Sequence, residues 1–87
     1  MNVSQLETLL DMTRANIRFY EQEGLVCPRR EKNGYRDYSE EDTDTLRKIK
    51  LLRQLGLSLE SIRRLQRGEL SLDAALRERE AQLAAER

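Results

Sequence analysis

The side chains able to do chemistry in this 87-residue sequence are cations, and they are unevenly placed. From Arg29 to Arg36, four cations (Arg29, Arg30, Lys32, Arg36) stand against one anion, Glu31, a local charge of +3. From Arg47 to Arg67, seven cations (Arg47, Lys48, Lys50, Arg53, Arg63, Arg64, Arg67) stand against Glu60 alone, a local charge of +6. The stretch from Glu69 to Arg87 has five acids and three bases, a local charge of −2. The formal net charge is zero, with 16 Lys+Arg and 16 Asp+Glu, but a partner meets a local surface and not the sum. Two basic segments and an acidic end suit a chain that turns one face to phosphates and another to a protein. Taken on charge alone, the same segments read as ordinary solvated helix faces.

Other chemistries lack their residues. Without His there is no imidazole base, no Ser-His triad and no His-containing zinc site, and Cys27 alone makes neither a disulfide nor a cysteine cage. Only scattered carboxylates remain for acid-base work, and no Gly-rich phosphate loop is present. No catalytic residue, metal ligand or cofactor is therefore expected. The start, MNVSQLETLL, lacks the basic and apolar regions of a secretion signal, and no run approaches the ~18 apolar residues of a membrane span. A cytoplasmic, reduced protein without a membrane partner is the expectation, and Cys27 reads as a small buried apolar residue.

The elements that must position these cations are short. With 38% apolar and 37% charged residues, the core has to be thin and built from surface-lying helices in one small domain. Ser4 can cap a first helix carrying Leu6, Leu9 and Leu10, Asp11-Met12 breaks it, and Thr13 caps a second helix from Arg14 to about Glu23, stopped at Gly24. At ~100° per residue, Ile17 and Tyr20 share the inner side while Arg14, Ala15, Arg18 and Phe19 face outward. Arg29 to Tyr38 reads as two short strands around a Lys32-Asn33-Gly34 turn. Ser39-Glu40-Glu41-Asp42 is a capping box for a long helix to Leu55, closed by Gly56. Its stripe of Leu46, Ile49, Leu51, Leu52 and Leu55 is too wide for one neighbour, which predicts a central helix. Ser58 caps a fourth helix bearing Leu59, Ile62 and Leu65 and ended by Gly68, and Ser71 caps a fifth. On the fifth, Leu72, Leu76, Arg79 and Leu83 follow a four-three-four spacing, the seam of a pairing helix, over ~16 residues that are marginal alone.

Three motifs in order carry a resemblance: Thr13-Arg14-Ala15-Asn16-Ile17-Arg18-Phe19-Tyr20-Glu21 with Glu23-Gly24-Leu25, Asn33-Gly34-Tyr35-Arg36-Asp37-Tyr38-Ser39, and Leu55-Gly56-Leu57-Ser58-Leu59-Glu60-Ser61-Ile62. From about Val3 to Leu65 the chain closely resembles the N-terminal domain of the MerR (mercury-resistance regulator) family. The resemblance implies a mainly α fold, a winged helix-turn-helix over residues 1–68 with a β-hairpin wing and a second wing from the third and fourth helices. It implies that residues 69–87 start an antiparallel dimerisation helix, with the effector region beyond it absent. Members are bacterial regulators that bind over-spaced −35 and −10 promoter elements as homodimers and distort the double-stranded DNA so that RNA polymerase engages both.

Under that resemblance, Arg14 and Arg18 are the polar tips of a major-groove helix, with Thr13 at its cap and Ala15 small enough to let it approach. Arg18 is the leading candidate for base readout. Tyr20 packs inward with its hydroxyl toward a phosphate, and Arg36 and Tyr38 correspond to the family's backbone contacts. Lys32 and Asn33 at the wing tip and the helix N-terminus at Ser58 can add phosphate contacts. Leu72, Leu76, Arg79 and Leu83 form the expected dimer seam. Several positions depart from the family pattern: Asp11 replaces a small turn residue, Glu7 a usual Ala, Ala15 a frequent basic residue, and Phe19 a common Tyr. Phe19 and Ala15 then suit thymine methyl groups or sugars. Two alternatives stand beside this reading: an excisionase-like protein that bends DNA without steering polymerase, and a helical adaptor that binds a protein through its apolar stripes.

Overall fold

The computed structural model describes residues 1–85, arranged as α1 (Val3–Leu10), α2 (Arg14–Gln22), β1 (Arg29–Arg30), β2 (Arg36–Asp37), α3 (Glu40–Gln54), α4 (Leu59–Gln66) and α5 (Leu72–Ala85). They form two compact units, one from Met1 to Lys48 and one from Ile49 onward, and α3 begins in the first and ends in the second. The mainly helical class with one short hairpin is the class expected from the sequence. The last two residues of the expected 69–87 segment lie outside the described residues.

In the first unit, α1 starts from Asn2, not from Ser4. The Asn2 side chain accepts from the Gln5 N–H and the Gln5 side chain accepts from the Asn2 N–H, both at 2.9 Å. This reciprocal box satisfies two orphan helix donors at once, and it places Ser4 inside the first turn. Asp11 ends α1 in the left-handed region at φ 51°, a conformation that the short polar Asp tolerates better than most residues. Thr13 then caps α2 by accepting from the Asn16 N–H at 3.2 Å, as its position predicts. Leu6, Leu10, Met12, Ile17, Tyr20, Leu25, Val26, Tyr38 and Leu46 are buried.

Arg29 pairs with Asp37 and Arg30 with Arg36 in an antiparallel hairpin. Its tip is closed by Gly34 N–H on the Glu31 carbonyl (2.9 Å), with Gly34 at φ +84°, and by Tyr35 N–H on the Asn33 side chain (3.1 Å). The wing is tied to the start of the chain, because Tyr38 N–H donates to the Met1 carbonyl at 2.8 Å. Cys27, expected inside, is exposed. The neighbouring Leu25 and Val26 occupy the buried positions of this extended exit from α2 instead. Ser39 and Asp42 form the expected box at the start of α3, Asp42 N–H on Ser39 Oγ at 3.1 Å and Ser39 N–H on Asp42 Oδ2 at 2.9 Å.

Along α3 Leu46 and Ile49 are buried, but Leu51, and Leu55 just past its end, are 57% and 48% exposed. The stripe that predicted a central helix is thus narrower than its apolar residues suggest. At 100° per residue, Leu51 and Leu55 fall about 140° and 180° from Leu46, on the opposite side. In the second unit, Leu57, Ile62 and Ala75 are buried with Ile49. Ser58 caps α4 by accepting from the Ser61 N–H at 3.1 Å, and Ser71 Oγ accepts from the Ala74 N–H at 3.1 Å to start α5. Gly56 turns the chain between α3 and α4 at φ +87°, and a Cβ there would lie 2.6 Å from Arg79 Nε. The positive φ is what favours glycine here, while any Cβ would also make the Arg79 side chain shift.

Candidate nucleic-acid interface

The site is built on α2. Its cap at Thr13 and the burial of Ile17 and Tyr20 fix the rotation of the helix, so that Arg14, Ala15, Arg18 and Phe19 are all exposed. Phe19 leans on the Tyr20 ring in an edge-on contact, centroids 5.6 Å apart. Tyr20 itself is buried.

The two arginines differ in their surroundings. Arg14 is held to α1: its Nε donates to Glu7 Oε1 at 3.2 Å and its Nη2 to Ser4 Oγ at 3.0 Å, while its backbone N–H donates to Glu7 Oε2 at 3.2 Å. Glu7 therefore links α1 to the start of α2. Arg18 instead lines an open groove of about 660 Å³ with Asn33, Tyr35 and Arg36 of the wing and residues near the chain start. Around one opening, a cation, an amide, a phenol and a second cation offer donors to phosphate oxygens and to base edges, beside the carboxylates of Glu31 and Asp37.

Arg36 and Tyr38 share a face of β2, as alternation along a strand implies, and that face meets α2. Arg36 Nε donates to Glu21 Oε1 at 2.8 Å, and the Tyr38 hydroxyl donates to Glu21 Oε2 at 3.4 Å. The hydrogen bond to Glu21, backed by its charge, raises the Arg36 pKa further above its ordinary value. Tyr38 is only 2% exposed. Burial, then the Glu21 charge, pushes its hydroxyl above the ordinary tyrosine range. The other face of β2 carries Asp37, whose carboxylate accepts from the Met1 ammonium at 2.8 Å. That hydrogen bond, followed by the ammonium charge, holds the Asp37 carboxyl below the usual carboxylate range. Lys32 and Asn33 are exposed at the wing tip.

In the second unit, Ser58 is an exposed cap. On α5, Leu72 and Leu83 are 47% and 42% exposed. Leu76 and Arg79 are half-buried, and the Arg79 guanidinium lies over Gly56. Arg64 pairs with Glu78 of α5 at 3.4 Å. Sequence reasoning overlooked the roles of Glu7 and Glu21. Glu7 contacts a residue seven positions away across a turn, and Glu21 contacts residues 15 and 17 positions away, so no helical spacing announces either. Among the described residues no group of three or more Cys, Asp or Glu could hold a metal ion, and no helix is long and apolar enough to cross a membrane.

A sequence model of the MerR HTH family of regulatory proteins matches residues 1–69 of this chain. The chain belongs to the MerR family. It is 41% identical over 63 residues to the HTH-type transcriptional regulator AdhR of Bacillus subtilis, an alignment covering 71% of this chain and 45% of AdhR. It is 41% identical over 61 residues to the transcriptional regulator CueR of Escherichia coli O6:H1, covering 69% of this chain and 45% of CueR. Among solved MerR-family structures, the transcription regulator PbrR691 of Ralstonia metallidurans CH34, crystallised in complex with lead(II), aligns with a TM-score of 0.84 and 30% identity. That alignment covers 99% of this chain and 73% of PbrR691. The chain spans about half the length of the MerR regulators AdhR and CueR that it matches. The mainly helical fold with its hairpin wing is the winged helix-turn-helix of this family.

Proposed function

We propose that the chain is the DNA-binding part of a MerR-type transcription regulator. On this reading it recognises a double-stranded promoter sequence as a homodimer and distorts the DNA between the −35 and −10 elements, which acts on RNA polymerase indirectly. The observation that carries the proposal is the groove in which Arg18, projecting from a capped and rotationally fixed helix, meets the wing residues Asn33 and Arg36.

In this reading Arg18 reaches base edges from the major groove, Ala15 and Phe19 give apolar contacts beside it, and Thr13 and Tyr20 hold the helix at its depth. Arg14, paired with Glu7, serves the backbone more than the bases. Arg36 and the wing-tip Lys32 and Asn33 take phosphates, with the Tyr38 hydroxyl on the same Glu21 carboxylate that holds Arg36. The N-terminus of α4 at Ser58 offers its free N–H groups to a further phosphate. Leu72, Leu76 and Leu83 pair with a second copy along α5, and Arg79 lays its aliphatic carbons along that seam while its guanidinium lies over Gly56. The setting of such a regulator is the cytoplasm.

The test is fluorescence-anisotropy binding to a duplex from the promoter of the chain's own gene and to a scrambled duplex, across a salt series. The expected result is tighter binding to the promoter, falling steeply with salt. Weak, equal and salt-insensitive binding to both duplexes, persisting when two chains are covalently joined, would favour the protein-adaptor reading.

A further inference from the structure

Glu21 is an acid placed where a DNA-binding face should have none. It sits three residues after Arg18 on α2, next to a groove that on the present reading receives a polyanion. Simple Coulomb attraction says that its charge weakens binding. The geometry gives it another role. Its two carboxylate oxygens take two donors from the wing, Arg36 Nε at 2.8 Å and the Tyr38 hydroxyl at 3.4 Å. The pair is largely sheltered, with side-chain exposures of 18% for Glu21 and 27% for Arg36, so solvent screens it less than a surface pair.

A guanidinium held at Nε leaves its two Nη groups, in the same plane, as the end-on fork that fits phosphate oxygens. We propose that Glu21 is a positioning residue for DNA binding: it aims the Arg36 fork at a phosphate and fixes the wing to the recognition helix at a set distance from Arg18. The inference rests on the reading of this face as the DNA interface. It reverses the sign that charge alone predicts, because removing the acid weakens DNA binding although the chain becomes more positive.

The test uses the whole 87-residue chain, the promoter duplex and the scrambled duplex, with wild type, Glu21→Gln, Arg36→Ala and the double variant in a salt series. Glu21→Gln should weaken binding to both duplexes by about five- to tenfold, the scale of a lost charge-assisted hydrogen bond. It should also flatten the salt slope by about one, as losing a phosphate contact does. In the Arg36→Ala background the same substitution should cost nothing, because no fork is left to aim. Nitrogen-15 spectra of the free protein supply a readout independent of DNA: the Arg36 Nε–H should exchange slowly with water in wild type and quickly in Glu21→Gln. Equal or tighter DNA binding by Glu21→Gln, with the wild-type salt slope, overturns the proposal. If wild type binds neither duplex in a salt-dependent way while its Arg36 Nε–H is still protected, the interface reading itself fails and the role of Glu21 on DNA falls with it. Should Glu21→Gln melt below the assay temperature, Arg36→Lys replaces it, because lysine keeps the charge without the Nε anchor or the fork. Wild-type affinity and slope in Arg36→Lys would then overturn the proposal.

Discussion

A guanidinium on the outward face of α2 is worth most where nothing else holds it. Arg14 shares its donors with Glu7 and Ser4, whereas Arg18 opens onto the groove. Arg18→Ala should cost ~1–3 kcal/mol on the promoter duplex and relax base choice, as for a base-edge contact. Arg36→Ala should weaken all duplexes alike and flatten the salt slope. Equal losses on promoter and random duplexes for both variants would remove Arg18 from base readout. Tyr38 gives a prediction in pH. Its folded-state pKa is raised by burial and by Glu21, so the stability it contributes is complete below the ordinary tyrosine value of ~10. That stability is lost as pH rises through the higher folded value. Urea unfolding at a series of alkaline pH values should show this decline in wild type and a shallower one in Tyr38→Phe. The outward set on α2 was legible in the sequence because helical periodicity and the burial of Ile17 and Tyr20 settle it. The partners of Arg14 and Arg36 were not, because Glu7 and Glu21 reach them across turns and between elements.

At the scale of elements, the ends of the helices were the most readable feature. Thr13, Ser39, Ser58 and Ser71 each accept a backbone N–H from the first turn that follows, and such a cap is a local bond that needs no distant partner. Thr13→Ala should destabilise the chain by about 1 kcal/mol in thermal unfolding. It should weaken DNA binding as well, since the helix that carries Arg18 would fray at its cap. At α1 the sequence pointed to Ser4, but the box with Gln5 makes Asn2 the cap. The turn at Gly56 joins local and tertiary constraint, because its φ of +87° strains any side chain and Arg79 occupies the space of a Cβ. Gly56→Ala should lower stability by roughly 1–3 kcal/mol. Adding Arg79→Ala should recover only the steric part, and full recovery in a thermal melt would mean that the backbone conformation is not strained.

At the scale of the molecule, the question is what covers the exposed apolar residues of α5. Leu72 and Leu83 are nearly half exposed on a helix that buries Ala75 completely, and a second chain along the seam is the proposed cover. Leu83→Asp should shift the chain toward monomer in sedimentation velocity while leaving its helical content intact. An unchanged sedimentation coefficient at every concentration would count against pairing through this helix. On the proposed homodimer reading, DNA affinity should fall with the loss of dimer, because each monomer would hold only half of a two-fold site.

The sequence by itself determined the order of helices and hairpin, the caps of every helix after α1, the outward residues of α2 and the family, since all of these follow from periodicity, from bonds within a few residues and from contiguous motifs. Tertiary structure decided which apolar residues are buried. It left Leu51, Leu55 and Cys27 in solvent, because apolar character gives a residue a tendency to be buried but not a neighbour to bury it. It also decided that two acids, Glu7 and Glu21, hold Arg14 and Arg36 of the proposed interface, because an ion pair between elements depends on how the chain returns on itself.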